Sequence, residues 1–169
     1  MTQIKSILSI VILAMLLPSC AKLTPASFWK SFQKKLIVKY ESDQGPWGGH
    51  REIHWKATGT KTFEIQNVLD FAKKNGWVLA ENLPFKLDPS HYENENDAYL
   101  HEILRNTIYR KWASEDVSTI YVFRTGWVCV KPGDDSIYTG KTGFIALSRD
   151  KKTLLLYHTW GDGYEKVLP

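Results

Sequence analysis

The sequence predicts an α+β fold with an antiparallel sheet and two longer helices packed on one face of it. Two segments show apolar residues at helical spacing, and they lie between blocks of strand-like sequence. The last part of the chain reads as a series of short strands separated by turns, which favours hairpins. Residues 20–169 are enough for one domain with a hydrophobic core.

The first expected element is a short helix that begins at Thr24 and Pro25, a residue pair suited to a helix start. Its three aromatic residues are flanked by lysines, an arrangement that fits the surface of a bilayer. The same rings could equally pack on the domain, and the sequence leaves both alternatives open. The aromatic residues are Phe28, Trp29 and Phe32, and the lysines are Lys22, Lys30, Lys34 and Lys35.

The remaining elements follow from periodicity and turn residues. One helix is expected from about Thr62 to Asn75-Gly76, where a glycine ends it. A second helix carries an apolar stripe from Leu100 to Ile108, and Lys111 falls on the same face. Strands are expected over residues 36–40, 51–56, 77–80, 117–124, 127–131, 144–148 and 153–160.

An export signal occupies the start of the chain. Lys5 precedes an apolar run over residues 7–17, which is too short to span a bilayer as a helix. The run ends in Leu17-Pro18-Ser19-Cys20, which resembles the bacterial lipobox. We therefore expect residues 1–19 to be a cleaved signal peptide, 20–35 a lipid-anchor segment with the short helix, and 36–169 the globular domain.

The lipobox resemblance implies a lipid on Cys20 and a location in the cell envelope. Several acyl chains would give stable anchoring, and Ala21 favours an outer membrane facing the periplasm by resemblance to enterobacterial lipoproteins. Two alternatives stay open: ordinary cleavage after Ala21 with loss of Cys20, or an uncleaved segment that serves as a short anchor.

Charge excludes nucleic acid as an expected partner. The formal charge is +4, of which Lys5 contributes one, so residues 20–169 carry +3. This excess is too small for a nucleic-acid-binding surface.

Nucleophile motifs in the chain do not form a catalytic set. Three elements of penicillin-binding proteins have matches here. They are Ser27-x-x-Lys30 or Ser31-x-x-Lys34, Tyr92-Glu93-Asn94 and Lys141-Thr142-Gly143. That family has a much larger fold, and these serines lie within a dozen residues of the proposed lipid. Cys129 has valines on both sides, so a buried and inert thiol is expected rather than a peptidase nucleophile.

The best candidate for chemistry is His50-Arg51-Glu52-Ile53-His54. In a strand, His50, Glu52 and His54 share one face and offer two imidazoles and a carboxylate to a metal ion. A solvated polar face opposite a core face explains the same alternation. The three residues also span about 13 Å in an extended strand, which is wide for one ion.

Aromatic residues in loops beside glycines fit a surface that binds a glycan or a partner protein, and they equally fit rings that cover the sheet. We take Trp47, Trp160 and Tyr164 as candidate partner-binding residues. The preferred hypothesis is a lipid-anchored, non-enzymatic binding module for an envelope protein or polymer, such as an inhibitor or assembly accessory, with no cofactor. The alternatives are a metal-assisted hydrolase built on His50, Glu52 and His54, and a structural lipoprotein of the envelope.

Overall fold

A six-stranded antiparallel sheet forms the centre of the protein. The computed structural model describes residues 25–44, 48–85, 107–125 and 143–161. The strands follow the spatial order β1-β2-β6-β5-β4-β3, so the predicted α+β class is confirmed. Their bounds are β1 Ile37–Gln44, β2 Gly48–Lys56, β3 Val78–Pro84, β4 Val117–Arg124, β5 Gly143–Ser148 and β6 Thr153–Gly161.

Two α-helices accompany the sheet, α1 over Ile65–Lys74 and α2 over Thr107–Ser114. Helix α1 ends as predicted: two lysines lie in its last turn, and Gly76 takes a left-handed conformation with φ of 83°. Helix α2 covers the end of the second predicted helix, whose earlier residues lie outside the described ranges. No described helix is long and apolar enough to cross a membrane.

The sheet joins two parts of the chain that are far apart in sequence. Strands β1 and β2 form an N-terminal hairpin, and β3 to β6 form a meander whose neighbours pair in antiparallel fashion. Strand β2 pairs with β6 along its whole length, and in this register Arg51 lies opposite His158. This pairing brings together residues that no local sequence pattern connects.

The two helices cover opposite faces of the sheet. Leu154 and Leu156 of β6 belong to one core together with α1, whereas Leu155 belongs to a second core with Trp112 of α2. We call the first the N-terminal face, because Ala26 and Trp29 also belong to its core, and the second the α2 face. The expectation that both helices pack on one face is therefore wrong. Four consecutive buried residues, Leu154 to Tyr157, are the physical reason, because a strand that is apolar on both sides must be covered on both sides.

The N-terminal segment is part of the core. It forms two 3-10 helices, Ser27–Ser31 and Lys34–Leu36, instead of one continuous helix, and Gln33 between them has a positive φ of 40°. Trp29 is fully buried, and the carbonyl oxygen of Phe32 accepts a hydrogen bond of 2.8 Å from the indole of Trp55. Of the two alternatives left open by the sequence, the structure shows the rings packed on the domain.

Candidate functional site

Strand β2 presents a different set of side chains on each face. Arg51, Ile53 and Trp55 point to the N-terminal face, and the residues between them point to the α2 face. His54 lies 2.6 Å from Glu52, and His50 stacks on Tyr157 of the α2 face at 6.2 Å. The prediction that His50, Glu52 and His54 share a face is confirmed.

Glu52 is the centre of an ion-pair cluster on the α2 face. Its carboxylate lies 2.8 Å from the ammonium of Lys39 in β1 and 3.2 Å from that of Lys111 in α2. His54 contributes a third contact from β2 itself, and the side chain of Glu52 is only 8% exposed. One buried carboxylate therefore joins two strands and a helix.

The surroundings of Glu52 keep it ionised. Burial alone would raise the pKa of this carboxyl, but the hydrogen bonds from His54 and Lys39 and the nearby positive charge hold it well below the usual range. Burial likewise opposes the charge of Lys39, yet its hydrogen bonds to Glu41 and Glu52 raise the pKa of this ammonium above its usual value. Glu52 is thus unsuited to donate a proton near neutral pH.

The arrangement does not form the metal site that the sequence suggested. His50 lies 3.9 Å from the carboxylate of Glu41, and the Glu52 oxygens are engaged by two ammonium groups. Within the described ranges, no three His, Cys, Asp or Glu side chains form a group suited to a metal ion. His54 contacts Glu52, but the spacing of alternate residues along a strand and the lysine partners of Glu52 explain why His50 does not join them in one group.

Arg51 occupies a buried position on the N-terminal face and is 1% exposed. Its guanidinium donates hydrogen bonds to the carbonyl oxygen of Pro25 and to the hydroxyl of Ser42, the latter at 3.3 Å. The rings of Tyr40 and Trp160 each lie 5.9 Å from the guanidinium carbon. In the described part of the chain no carboxylate pairs with Arg51, so a carbonyl, a hydroxyl and two aromatic faces hold the charge.

His158 lies opposite Arg51 and is fully buried. Its ring packs between Trp77, at 5.1 Å, and Trp160, at 5.3 Å, and among the described residues neither ring nitrogen has a hydrogen-bond partner. Burial, together with the positive charge of Arg51, lowers the pKa of His158 to about 3. The imidazole is therefore neutral and packs as an aromatic ring of the core.

The candidate partner-binding residues do not all lie where the sequence suggested. Trp160 belongs to β6 and is 6% exposed, which corrects the expectation of an accessible aromatic residue at the chain end. Its indole packs against His158 and lies close to Gly49. Cys20, Trp47, Cys129 and Tyr164 lie outside the described residues, as does the predicted strand 127–131.

The sequence did not single out four residues that the structure places in the site. Lys39 and Lys111 bind Glu52 on the α2 face, and Arg51 and His158 lie opposite each other on the N-terminal face. Arg51 stood inside the motif considered for metal binding, but its burial depends on pairing between β2 and β6. Lys111 belongs to the face of the predicted second helix, yet nothing local indicates that it reaches Glu52, 59 positions earlier.

Comparison with known proteins gives no further guide. No protein family, no curated protein and no solved structure matches the chain. Its function is therefore inferred from the contacts described above.

Proposed function

We propose that the protein is a lipid-anchored, non-enzymatic binding module of the bacterial envelope. In this proposal the chain is exported, cleaved before Cys20 and held by lipid on the outer membrane, facing the periplasm. The domain then recognises an envelope protein or polymer, as an inhibitor or assembly accessory would.

The start of the packed core supports anchoring through Cys20. Ala26 is the first residue of the described core, so cleavage before Cys20 would remove none of its members. Pro25 follows Cys20 by five positions, and a chain of that length spans at most about 17 Å. The lipid would hold the domain close to the bilayer.

The state of the buried titratable groups is the observation that carries the binding function. Enzyme sites commonly contain groups with shifted pKa values that are free to exchange protons with a substrate. Here the ionised carboxylate of Glu52 is bound by three side chains of the protein, and His158 is enclosed by two indole rings. Within the described residues, contacts inside the fold account for the shifted pKa values of both Glu52 and His158. This favours recognition over catalysis.

We place the proposed partner surface at one corner of the sheet. Gly48 at the start of β2 lies opposite Gly161 at the end of β6. Trp47 directly precedes Gly48, and Tyr164 follows Gly161 by three positions. The chain therefore brings both candidate aromatic residues within a few positions of the same corner.

Capture from an envelope extract tests this proposal. The tagged mature protein in mild detergent serves as bait, beside a Trp47→Ala/Tyr164→Ala variant and a Lys61→Gln variant as matched surface control. We expect one saturable partner that the double variant loses and the control keeps. Capture of none, or equal capture by all three proteins, overturns the proposed surface. Cosedimentation with peptidoglycan alone would instead identify a structural envelope protein.

A further inference from the structure

Three lysines lie on the outer side of the N-terminal segment. The inner side of this segment is buried through Ala26, Trp29 and Phe32. We call the three exposed side chains the basic strip, and they are Lys30, Lys34 and Lys35.

In the part of the chain that the structure describes, no acidic side chain neutralises the charge of the basic strip. No aspartate or glutamate precedes Glu41 in the sequence. Within the described residues, none of the three lysines forms an ion pair; Lys30 lies over the ring of Tyr40, 4.1 Å from its centroid. Lys39 and Lys111 differ, because both bind Glu52.

The fold fixes how the basic strip is presented. Arg51 binds the carbonyl oxygen of Pro25 at one end of the segment, and the indole of Trp55 binds that of Phe32 farther along. Both partners lie in β2, so the segment runs along this strand across the N-terminal face. The lysines are thereby held outward on a rigid support.

The basic strip lies close to Cys20 along the chain, and this position indicates what the strip binds. Lys30 follows Cys20 by ten positions, and the segment carrying it starts within about 17 Å of the proposed lipid. Lipid anchors and clusters of basic residues act together on membranes that contain anionic lipids. Val38, three positions after Lys35 in the sequence, is 63% exposed at the irregular start of β1 and would add an apolar contact with the bilayer.

We propose that the basic strip docks on anionic phospholipid headgroups and sets the orientation of the domain on its membrane. This inference rests on the proposed lipid at Cys20. It adds a second contact with the bilayer, made by Lys30, Lys34 and Lys35, that leaves the α2 face turned away from the membrane.

The test uses the lipidated mature protein in vesicles, with intact mass confirming the lipid before reconstitution. Vesicles contain phosphatidylcholine alone or phosphatidylcholine with phosphatidylglycerol, and an amine-reactive reagent labels accessible lysines for mass spectrometry. We expect labelling of the basic strip to fall about fivefold with phosphatidylglycerol and to recover at high salt. Lys56, which alternates onto the α2 face, and Lys151, in the turn between β5 and β6, are exposed and should be labelled equally in both vesicles.

Matched variants complete the test. In Lys34→Gln/Lys35→Gln the protection of Lys30 should be lost, whereas Lys56→Gln/Lys61→Gln should retain it. Equal labelling of the strip in both vesicles overturns the docking proposal, and so does equal protection of Lys56 and Lys151. A protein without lipid fails at the mass measurement, so a failed anchor is distinguished from failed docking.

Discussion

Arg51 in β2 donates a hydrogen bond to the carbonyl oxygen of Pro25, the residue at which the described structure begins. The same guanidinium reaches Ser42 in β1. One buried side chain therefore fixes the N-terminal segment against the first hairpin. In the proposed orientation, this contact also links the segment that follows the lipid anchor to the sheet.

Replacing Arg51 by lysine should loosen the N-terminal segment. An ammonium cannot reproduce the planar fork that binds Pro25 and Ser42 together. We expect a loss of about 2 kcal/mol in the free energy of unfolding and faster amide exchange at Phe32. Arg124→Lys, at an exposed position of β4, is the control and should change neither quantity. Unchanged exchange at Phe32 in Arg51→Lys would show that the contact does not hold the segment.

Replacing Glu52 by glutamine should destabilise the fold, because two lysines and His54 lose their common buried partner. We expect a loss of about 2 kcal/mol in urea unfolding at neutral pH, against less than about 1 kcal/mol for Glu41→Gln, whose side chain is 51% exposed. Equal effects of the two substitutions would contradict the central place of Glu52.

The Glu52→Gln variant also gives a prediction for the stability of the protein in acid. Because the fold lowers the pKa of Glu52, its stabilising contribution is complete above the ordinary glutamate value of 4.5 and is lost as the pH falls below it. The difference in unfolding free energy between the wild type and Glu52→Gln should therefore shrink below about pH 4.5. A constant difference throughout acid titration would argue against an ion-pair role.

His158 should make stability depend on pH in a higher range. The unfolded chain protonates this residue near its ordinary pKa of 6.5, whereas the folded protein does so only near 3. Acid therefore favours unfolding between these values, and the effect is absent above 6.5. His158→Phe keeps a ring between Trp77 and Trp160, and it should remove about 2 kcal/mol of the wild type's loss between about pH 7 and about pH 5. Parallel curves for the two proteins would exclude the buried neutral imidazole.

Gly143 provides the space that Trp77 occupies. A Cβ built on Gly143 would lie 2.5 Å from the Trp77 ring and 2.8 Å from the methyl group of Thr125. Gly143→Ala should therefore lower the free energy of unfolding by about 1–3 kcal/mol. The cost should be smaller in a Trp77→Phe background, and a double-mutant cycle measures this coupling. Full additivity would place the strain elsewhere.

Local periodicity was enough to predict much of this fold. The end of α1 at Asn75-Gly76 and the turn between β5 and β6 follow from the residues at those positions. The shared face of Glu52 and His54 follows from the geometry of any strand. These features depend on neighbours in the sequence, so a single sequence contains the necessary information.

The errors arose where distant residues meet. The burial of Trp160 and the pairing of Arg51 with His158 both require β2 to lie beside β6, which no local pattern specifies. The placement of the helices on opposite faces did have a local sign, namely the unbroken apolar run Leu154-Leu155-Leu156-Tyr157 in β6. Such a run by itself predicts a strand that is covered on both faces.

The intact mass of the protein isolated from the membrane fraction tests the lipid anchorage on which both proposals rest. The expected product begins at Cys20 and carries the mass of a diacylglyceryl group and an acyl chain on that residue. A mature chain that begins after Cys20 with no lipid adduct, or one that retains Met1, would contradict it.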